Sequence, residues 1–281
     1  MGKTLFDYWR SQCTAPYHFP MTGDQWYQSM YEDVDGDGHP LFSTLIVKCS
    51  RTTCQKDGEF TGLIEYGETA FGFDTSGEIS SDVHHNVIRI LCFDRDKPEV
   101  GEQLLHAALD HFGTEQRIYA FFHYFGMTAC ARHGKLHESS PHVEALLLNN
   151  GFTVEHENIY YARILSPKDT ADDTISLRWS DLSPGGCREF AALTEGVEVG
   201  WGQVHFLPQG DIAYLRWIYV DEKRQHQGLG TAIMRQLFAE LYQLGIRRFD
   251  TDTALSNTAA QHYYEKTGFA NAGITRSYYT K

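Results

Sequence analysis

Residues 212–245 constrain the fold more than any other stretch of the chain. An apolar run, 212–220, reads as a buried strand, and a charged turn follows at 221–224. Then comes Gln225-His226-Gln227-Gly228-Leu229-Gly230. After it Leu229, Ile233, Leu237 and Leu241 recur every fourth residue, with Arg235, Gln236, Glu240 and Gln243 between them. That spacing predicts an amphipathic helix stopped at Gly245. A strand, a glycine turn and a helix start make an anion site, because the first N–H groups of a helix have no internal partner and sit at its positive end. Gly228 and Gly230 carry no side chain, so a diphosphate can approach the backbone. A tight turn with no ligand would use the same two glycines.

The wider pattern separates these readings. The segment resembles motif A of the GCN5-related N-acetyltransferases, the GNAT superfamily: an apolar strand, Gln/Arg-x-x-Gly-x-Gly/Ala, then a helix. Here it is Val220 followed by Gln225-x-x-Gly228-x-Gly230. Residues 257–269 resemble motif B, a short helix from Asn257 that carries Tyr264 and ends at Gly268-Phe269. A strand predicted over 248–255 stands between the two. The resemblance implies an α+β fold, a mixed and mostly antiparallel sheet flanked by helices.

Composition narrows the function classes. Of 281 residues, 42% are hydrophobic and 14% aromatic, which supports a packed core and argues against disorder. No apolar run approaches bilayer-crossing length, so no membrane partner is expected. The first thirteen residues lack an apolar core, so no signal peptide is expected. Cysteines at 13, 49, 54, 92, 130 and 187 form no C-x-x-C pair and read as reduced thiols, with the cytoplasm as the expected compartment. The net charge is −13, of which residues 1–167 carry −11 and 168–281 carry −2. That balance argues against nucleic acid and suits a cationic substrate or a solubilising surface alike.

Further strands are expected over 41–48, 86–93 and 118–125, with a hairpin about Gly67 and helices over 24–33, 101–112 and 141–150. Asp33-Val34-Asp35-Gly36-Asp37-Gly38 is read as a turn, since Pro40 and Thr44 break the calcium-loop pattern. A strand pair is expected before Leu165, a linker at 166–173, a helix over 187–194 and strands over 175–179 and 198–206. A second strand pair closes the chain from Phe269. The first half echoes the second: Phe93 to Gly101 has the spacing of Val220 to Gly228, and Gly151-Phe152 answers Gly268-Phe269. Two tandem acyl-CoA N-acyltransferase-like domains follow, 1–165 and 174–281. In the first, Pro98 stands for Gln225, Gln103 for Gly230 and Leu147 for Tyr264, so its anion site is expected to be lost.

The resemblance implies acetyl-CoA as co-substrate and direct transfer to an amine; the acidic first half suits a small, cationic amine among many metabolites, and a monomer or homodimer is expected. It assigns Gln225, His226, Gln227, Gly228, Leu229, Gly230 and Thr231 to the pyrophosphate, and the backbone of Ile218, Tyr219 and Val220 to the pantetheine arm and thioester. Asn257 contacts the coenzyme. Tyr264 is the expected acid for the departing thiolate, a phenol being neutral at pH 7, whereas Tyr263 is expected to be a packing aromatic. Glu195, Glu198, His205 and Asp252 are candidate bases, and Glu198 joins Tyr264 as the expected catalytic pair. No metal is expected, since His84-His85 would face opposite ways on a strand and His133, His137 and His142 lack partners at zinc spacing. An acetyl-CoA-binding sensor without turnover is the alternative function.

Overall fold

Apolar runs broken by glycine turns build this chain strand by strand. A computed structural model describes residues 3–35, 38–54, 57–76, 78–113, 116–207 and 210–280. They form two compact units: one takes the chain up to Glu157 and again from Thr275, and the other is Asn158–Ile274.

The first unit opens with α1 (Leu5–Gln12) and α2 (Gly23–Glu32). Each starts in a capping box, Thr4 with Asp7 and Thr22 with Gln25. β1 (Phe42–Cys54) and β2 (Asp57–Thr69) form one long antiparallel hairpin. The hairpin expected about Gly67 is absent. Gly67 lies inside β2, where a Cβ would stand 1.9 Å from the Thr44 carbonyl oxygen, beside a register shift. β3 (Gly72–Phe73) and β4 (Ile79–Ser80) make a small ladder of their own. β5 (Asn86–Phe93), buried along its length, pairs antiparallel with β2 and parallel with β6 (Ile118–Ala120). α3 (Pro98–Phe112) packs Val100, Leu104, Leu105 and Ala108 into the core beside Leu91 and Phe93. Gly101 therefore lies inside that helix and does not open it. The strand expected over 118–125 stops at Ala120, because Phe121 takes a φ of 57° and a single tight turn, His123–Phe125, follows.

β7 (Leu136–His137), α4 (Pro141–Asn149) and β8 (Phe152–Ile164) come next, and β8 from Asn158 on belongs to the second unit. Gly36 and Asp37 of the expected 33–38 turn lie outside the described residues. Asp33 itself is buried and accepts from Arg89 at 3.1 Å and from Ser29 at 2.9 Å.

In the second unit β9 (Ser176–Trp179), β10 (Cys187–Thr194), β11 (Val197–Phe206) and β12 (Ile212–Val220) run as an antiparallel meander. Then come α5 (Leu229–Gln243), β13 (Arg248–Ala254), α6 (Thr258–Lys266) and β14 (Ala270–Thr280). β13 joins β12 in parallel and β8 antiparallel, so the order within this unit is β8-β13-β12-β11-β10-β9. The segment expected as a helix over 187–194 is strand β10. Ladders hold it on both edges, and Glu195 and Gly196, at φ 50° and 79°, turn it into β11 as a two-residue hairpin. The two expected strand pairs are the single strands β8 and β14. Residues 166–173 form neither helix nor strand, and the Asp172 N–H donates to Gln236 Oε1 at 3.1 Å.

α5 lays Ile233, Met234, Leu237 and Leu241 on a core that includes Val199, Val204, Ala213, Leu215 and Phe249. From Thr275 the chain is part of the first unit, where Tyr278 pairs with Ala120. Arg276 binds Glu157 at 2.7 Å and Glu144 at 3.3 Å there. The fold is α+β, a mixed and mostly antiparallel arrangement of strands flanked by helices. Among the described residues no helix is long and apolar enough to cross a membrane.

Candidate active site

β12 has two edges with different fates. On one it pairs with β11: Trp217 opposite Gln203, Tyr219 opposite Trp201, Val220 opposite Gly200. The register steps from Gln203–Trp217 to Val204–Leu215, which leaves Arg216 as an extra, bulged residue. On the other edge β12 pairs with β13 only from Ile212–Arg248 to Leu215–Thr251. Beyond that point the two parallel strands part, and β13 continues against β8 alone, Asp252 opposite Tyr160.

The backbone groups that face the opening follow from the ladder. Bonded and non-bonded pairs alternate along antiparallel strands. The Asp221 N–H donates to the Val199 carbonyl at 3.0 Å. Counting back by twos, Tyr219 and Trp217 turn their backbone groups to β11, so Ile218 and Val220 turn theirs to the opening. The Val220 carbonyl is met there by Gln225 Nε2 at 3.0 Å. The N–H of Val220 and both groups of Ile218 form an edge that an extended amide can join as an added strand.

The turn beyond the strand delivers the helix end. Glu222–Arg224 makes one tight turn, His226 takes a φ of 62°, and Gly228 caps α5 at φ 85° and ψ −6° with no side chain over the first N–H groups. The space a Gly228 Cβ would enter is open. The N–H groups of Leu229, Gly230 and Thr231 are thus presented as an anion cradle. Gln227 Nε2 folds back to the Lys223 carbonyl at 3.3 Å. Gly230 serves packing as well. A Cβ there would lie 3.3 Å from the Tyr263 ring, and the Tyr263 hydroxyl donates to the Gly230 carbonyl at 2.6 Å. Tyr263 therefore fastens α6 to the first turn of α5, a positioning role beyond the packing aromatic expected from the sequence.

Tyr264 lies at the apex of the opening. It is 7% exposed, its ring packs against Tyr161, Tyr263 and Phe269, and among the groups that act on its hydroxyl is the side chain of Thr251, the last residue of the parallel register. Burial raises its pKa, the Thr251 side chain opposes that, and the charge of Asp252 adds to it. Asn257 caps α6, its Oδ1 accepting from the Ala260 N–H at 3.1 Å.

The candidate bases separate clearly. Glu195 is the exposed tip of the β10–β11 hairpin. Glu198 is exposed and paired with Arg178 at 3.4 Å. His205 stands opposite Tyr214 on β11. Asp252 is the first residue past the point where the strands part, and it accepts from the Tyr214 hydroxyl and from Asn158 Nδ2 at 2.7 Å. Below it on the same face of β13, Asp250 is fully buried and bound by Arg248 at 2.6 Å and by the Tyr160 hydroxyl at 2.8 Å. Burial raises the Asp250 pKa against the pull of Arg248. The alternation Arg248, Asp250, Asp252 was the sequence signal for this polar face, since three charged residues at period two do not belong on an apolar strand.

A parallel pair that parts mid-strand, with a bare helix end beyond it, decides the fold. The fold is the GNAT fold. Residues 153–269 match the Acetyltransferase (GNAT) family. A GCN5-related glucosamine N-acetyltransferase region of a fungal multi-domain GH3 beta-N-acetylglucosaminidase superposes with a TM-score of 0.54 at 13% identity, over 93% of this chain and 37% of that one. A tandem GNAT protein from the clavulanic acid biosynthesis pathway gives 0.51 at 12% identity, over 94% and 97% of the two chains. The GCN5-related N-acetyltransferase of Sphaerobacter thermophilus also gives 0.51 at 12% identity, over 80% and 78%. In sequence, the [ribosomal protein bS18]-alanine N-acetyltransferase of Escherichia coli K12 is 42% identical over 69 residues, 25% of this chain. The chain spans about half, 47%, of the length of that curated relative.

Proposed function

We propose that the chain is an acetyl-CoA-dependent N-acetyltransferase that moves the acetyl group directly to an amine. The observation that carries this is the opening between β12 and β13, with the Tyr264 hydroxyl at its apex beside Thr251 and a bare α5 N-terminus at its mouth. Val220 and Ile218 supply the edge for the pantetheine amides, and the N–H groups of residues 226–231 supply the diphosphate cradle. Acetyl-CoA supplies the activated acyl group. Tyr264, held protonated by burial, donates to the departing thiolate. Asp252 is better placed than Glu198 to take a proton from the acceptor, because Glu198 is spent on Arg178 at the surface. Asn257 orders the start of α6 so that Tyr263 and Tyr264 stand where α5 begins.

The unit before it has a companion role in this reading. The tandem reading of domains 1–165 and 174–281 shifts its bounds to those of the compact units, which change over at Asn158 and again at Thr275. The location is the cytoplasm, in keeping with six unpaired thiols. The acidity of residues 1–167 suits a small cationic amine as acceptor. A peptide amine is the second reading, favoured by the 42% identity to an enzyme named for an alanine of a ribosomal protein.

Thiol release from acetyl-CoA over a panel of polyamines, amino sugars and alanine-ended peptides tests the proposal. Release with one class and none without acceptor supports it. Tight coenzyme binding with no release from any amine overturns it in favour of a sensor.

A further inference from the structure

In the first unit a cavity of about 80 Å³ lies beside β5, past Ile88, where that strand leaves β6. Trp9, Cys13, Leu91, Cys130 and His142 are part of its wall, and every residue of that wall belongs to the first unit. The ladder fixes which backbone groups face it. The Asp94 N–H donates to the Thr61 carbonyl at 2.9 Å. Bonded and non-bonded pairs alternate along antiparallel strands, so Cys92 and Ile90, opposite Leu63 and Glu65, turn their backbone groups to β2. Leu91 turns its N–H and carbonyl the other way, to the side of the cavity. β6 does not meet them, because its register with β5 ends at Ala120. No loop backbone bonds to Leu91 among the described residues.

His142 adds an acceptor to the same wall. Its Nε2 meets the Phe93 carbonyl at 3.3 Å, so that nitrogen carries the proton and Nδ1 is bare. Nδ1 is buried and has no hydrogen-bond partner. Burial lowers the pKa of the ring, which keeps it neutral at pH 7. The cavity thus offers one donor and two acceptors, all buried, and buried backbone groups are nearly always paired. The charges around it disfavour an ion. No carboxylate lines it to hold a cation. Arg89 is spent on Glu65 at 2.7 Å, Asp33 at 3.1 Å and the Ser29 carbonyl at 2.9 Å. A neutral ligand avoids the cost of burying a charge without a counter-charge.

We propose that this cavity binds a small molecule ending in a primary carboxamide. The group has one carbonyl and two N–H donors. Its carbonyl accepts the Leu91 N–H, the N–H on the same side donates to the Leu91 carbonyl, and the other N–H goes to His142 Nδ1. A secondary amide cannot do this, because its trans geometry points N–H and carbonyl in opposite directions. Size agrees. At roughly 30 Å³ per water the cavity has room for about two or three waters, or for a carboxamide on a short carbon stem. The inference stands apart from the acetyl-transfer reading of the second unit. It gives the first unit, which has no anion cradle, a ligand of another kind.

The probe is acetamide, followed at the Leu91 amide of the full chain by proton–nitrogen NMR. Acetamide should shift that amide saturably. N-methylacetamide and N,N-dimethylacetamide, which cannot close the pair, should bind about tenfold more weakly or worse. Acetate is the control for an anion drawn by Lys135, the other cation of the lining, and it should also bind more weakly. No saturable shift overturns the proposal in favour of a pocket that holds water. N-methylacetamide bound as well as acetamide overturns it too, and acetate bound more tightly makes the cavity an anion site. His142→Phe keeps a ring and removes Nδ1, and should weaken acetamide by about tenfold. Ala15→Phe, at a half-buried position of the wall, should close the cavity and abolish the shift with the melting temperature near wild type. Unchanged acetamide affinity in both variants overturns the assignment.

Discussion

Both units contain a strand that pairs in parallel for a few residues and then continues alone, yet the turn that follows differs. In the first unit β5 pairs with β6 only from Asn86–Ile118 to Ile88–Ala120 and runs on to Phe93. In the second, β12 parts from β13 after Leu215–Thr251 and runs on to Val220. After β5 the chain enters α3 at Pro98, whereas after β12 it reaches α5 at Leu229 through a longer turn with two positive φ angles. The shorter turn also brings its own anion. Asp94 accepts from Lys97 at 2.9 Å, Tyr8 at 3.2 Å and Gln12 at 3.3 Å. A diphosphate arriving there would meet a carboxylate and a proline in place of open N–H groups. Cys13, Tyr17, His18, Met127, Cys130 and His133 are among the residues that line a cavity of about 80 Å³ beside β5. The shared scaffold is thus a device for parting two strands. On the proposed function, the turn is what would let one gap and not the other take a nucleotide.

The comparison breaks most readily at Tyr264, which has no counterpart in the first unit, where Leu147 is fully buried apolar core. Tyr264→Phe should lower turnover by roughly a hundredfold or more, as for loss of a general acid, and leave the Kd for coenzyme within about twofold. Turnover close to wild type would remove Tyr264 from the chemistry and hand the thiolate to solvent. Leu147→Tyr in the first unit should confer nothing, and one coenzyme per chain by calorimetry is the matching expectation. A stoichiometry of two would erase the distinction drawn above.

Glycine substitutions sharpen the same contrast, because the two units use glycine for different ends. Gly228 holds a φ of 85° with open space where a Cβ would go. Gly228→Ala is expected to cost about 1–2 kcal/mol of backbone strain and to be read chiefly as weaker coenzyme binding as the turn relaxes. Gly101 sits inside α3, where a Cβ would come within 2.6 Å of the Phe93 ring. Gly101→Ala should lower stability by about 1–3 kcal/mol through overpacking and leave coenzyme affinity unchanged. Denaturant melts and calorimetry on both variants separate the two effects. Tyr263→Phe, which frees the Gly230 carbonyl, should cost about 1 kcal/mol and raise the Kd slightly.

What was legible in the sequence follows local chemistry. The strand over 212–220 and the helix after it lie where the apolar spacing put them, and a short helix starts from Asn257, which caps it. The region 187–194 misled, because Phe190-Ala191-Ala192-Leu193 satisfies a helix as well as a strand, and the decisive Glu195-Gly196 turn was not weighed. The Gly101 echo misled too: equal spacing in sequence concealed a helix that starts three residues earlier, at Pro98. Arg216 and Tyr214 could not be read from the residues, since a bulge and a partner on the neighbouring strand are properties of pairing in space.

The smallest expected effect concerns acid, and it belongs to the first unit. His85 Nε2 accepts the Phe73 N–H at 3.2 Å, which requires that nitrogen to be unprotonated. Burial, with the neighbouring His84 second, pushes the His85 pKa below its ordinary 6.5. A histidine with a depressed folded-state pKa contributes stability that is present above the unfolded value and lost as pH falls through the folded one. The β3–β4 ladder that carries Phe73 should therefore hold at neutral pH and loosen as pH falls through the depressed His85 value, below the ordinary 6.5. Hydrogen exchange at the Phe73 amide, followed from pH 7 downward, reads this directly. Protection that persists unchanged well below the His85 titration would show that the ladder holds without that nitrogen. His85→Gln, whose side-chain oxygen can accept the same N–H without titrating, should flatten the profile.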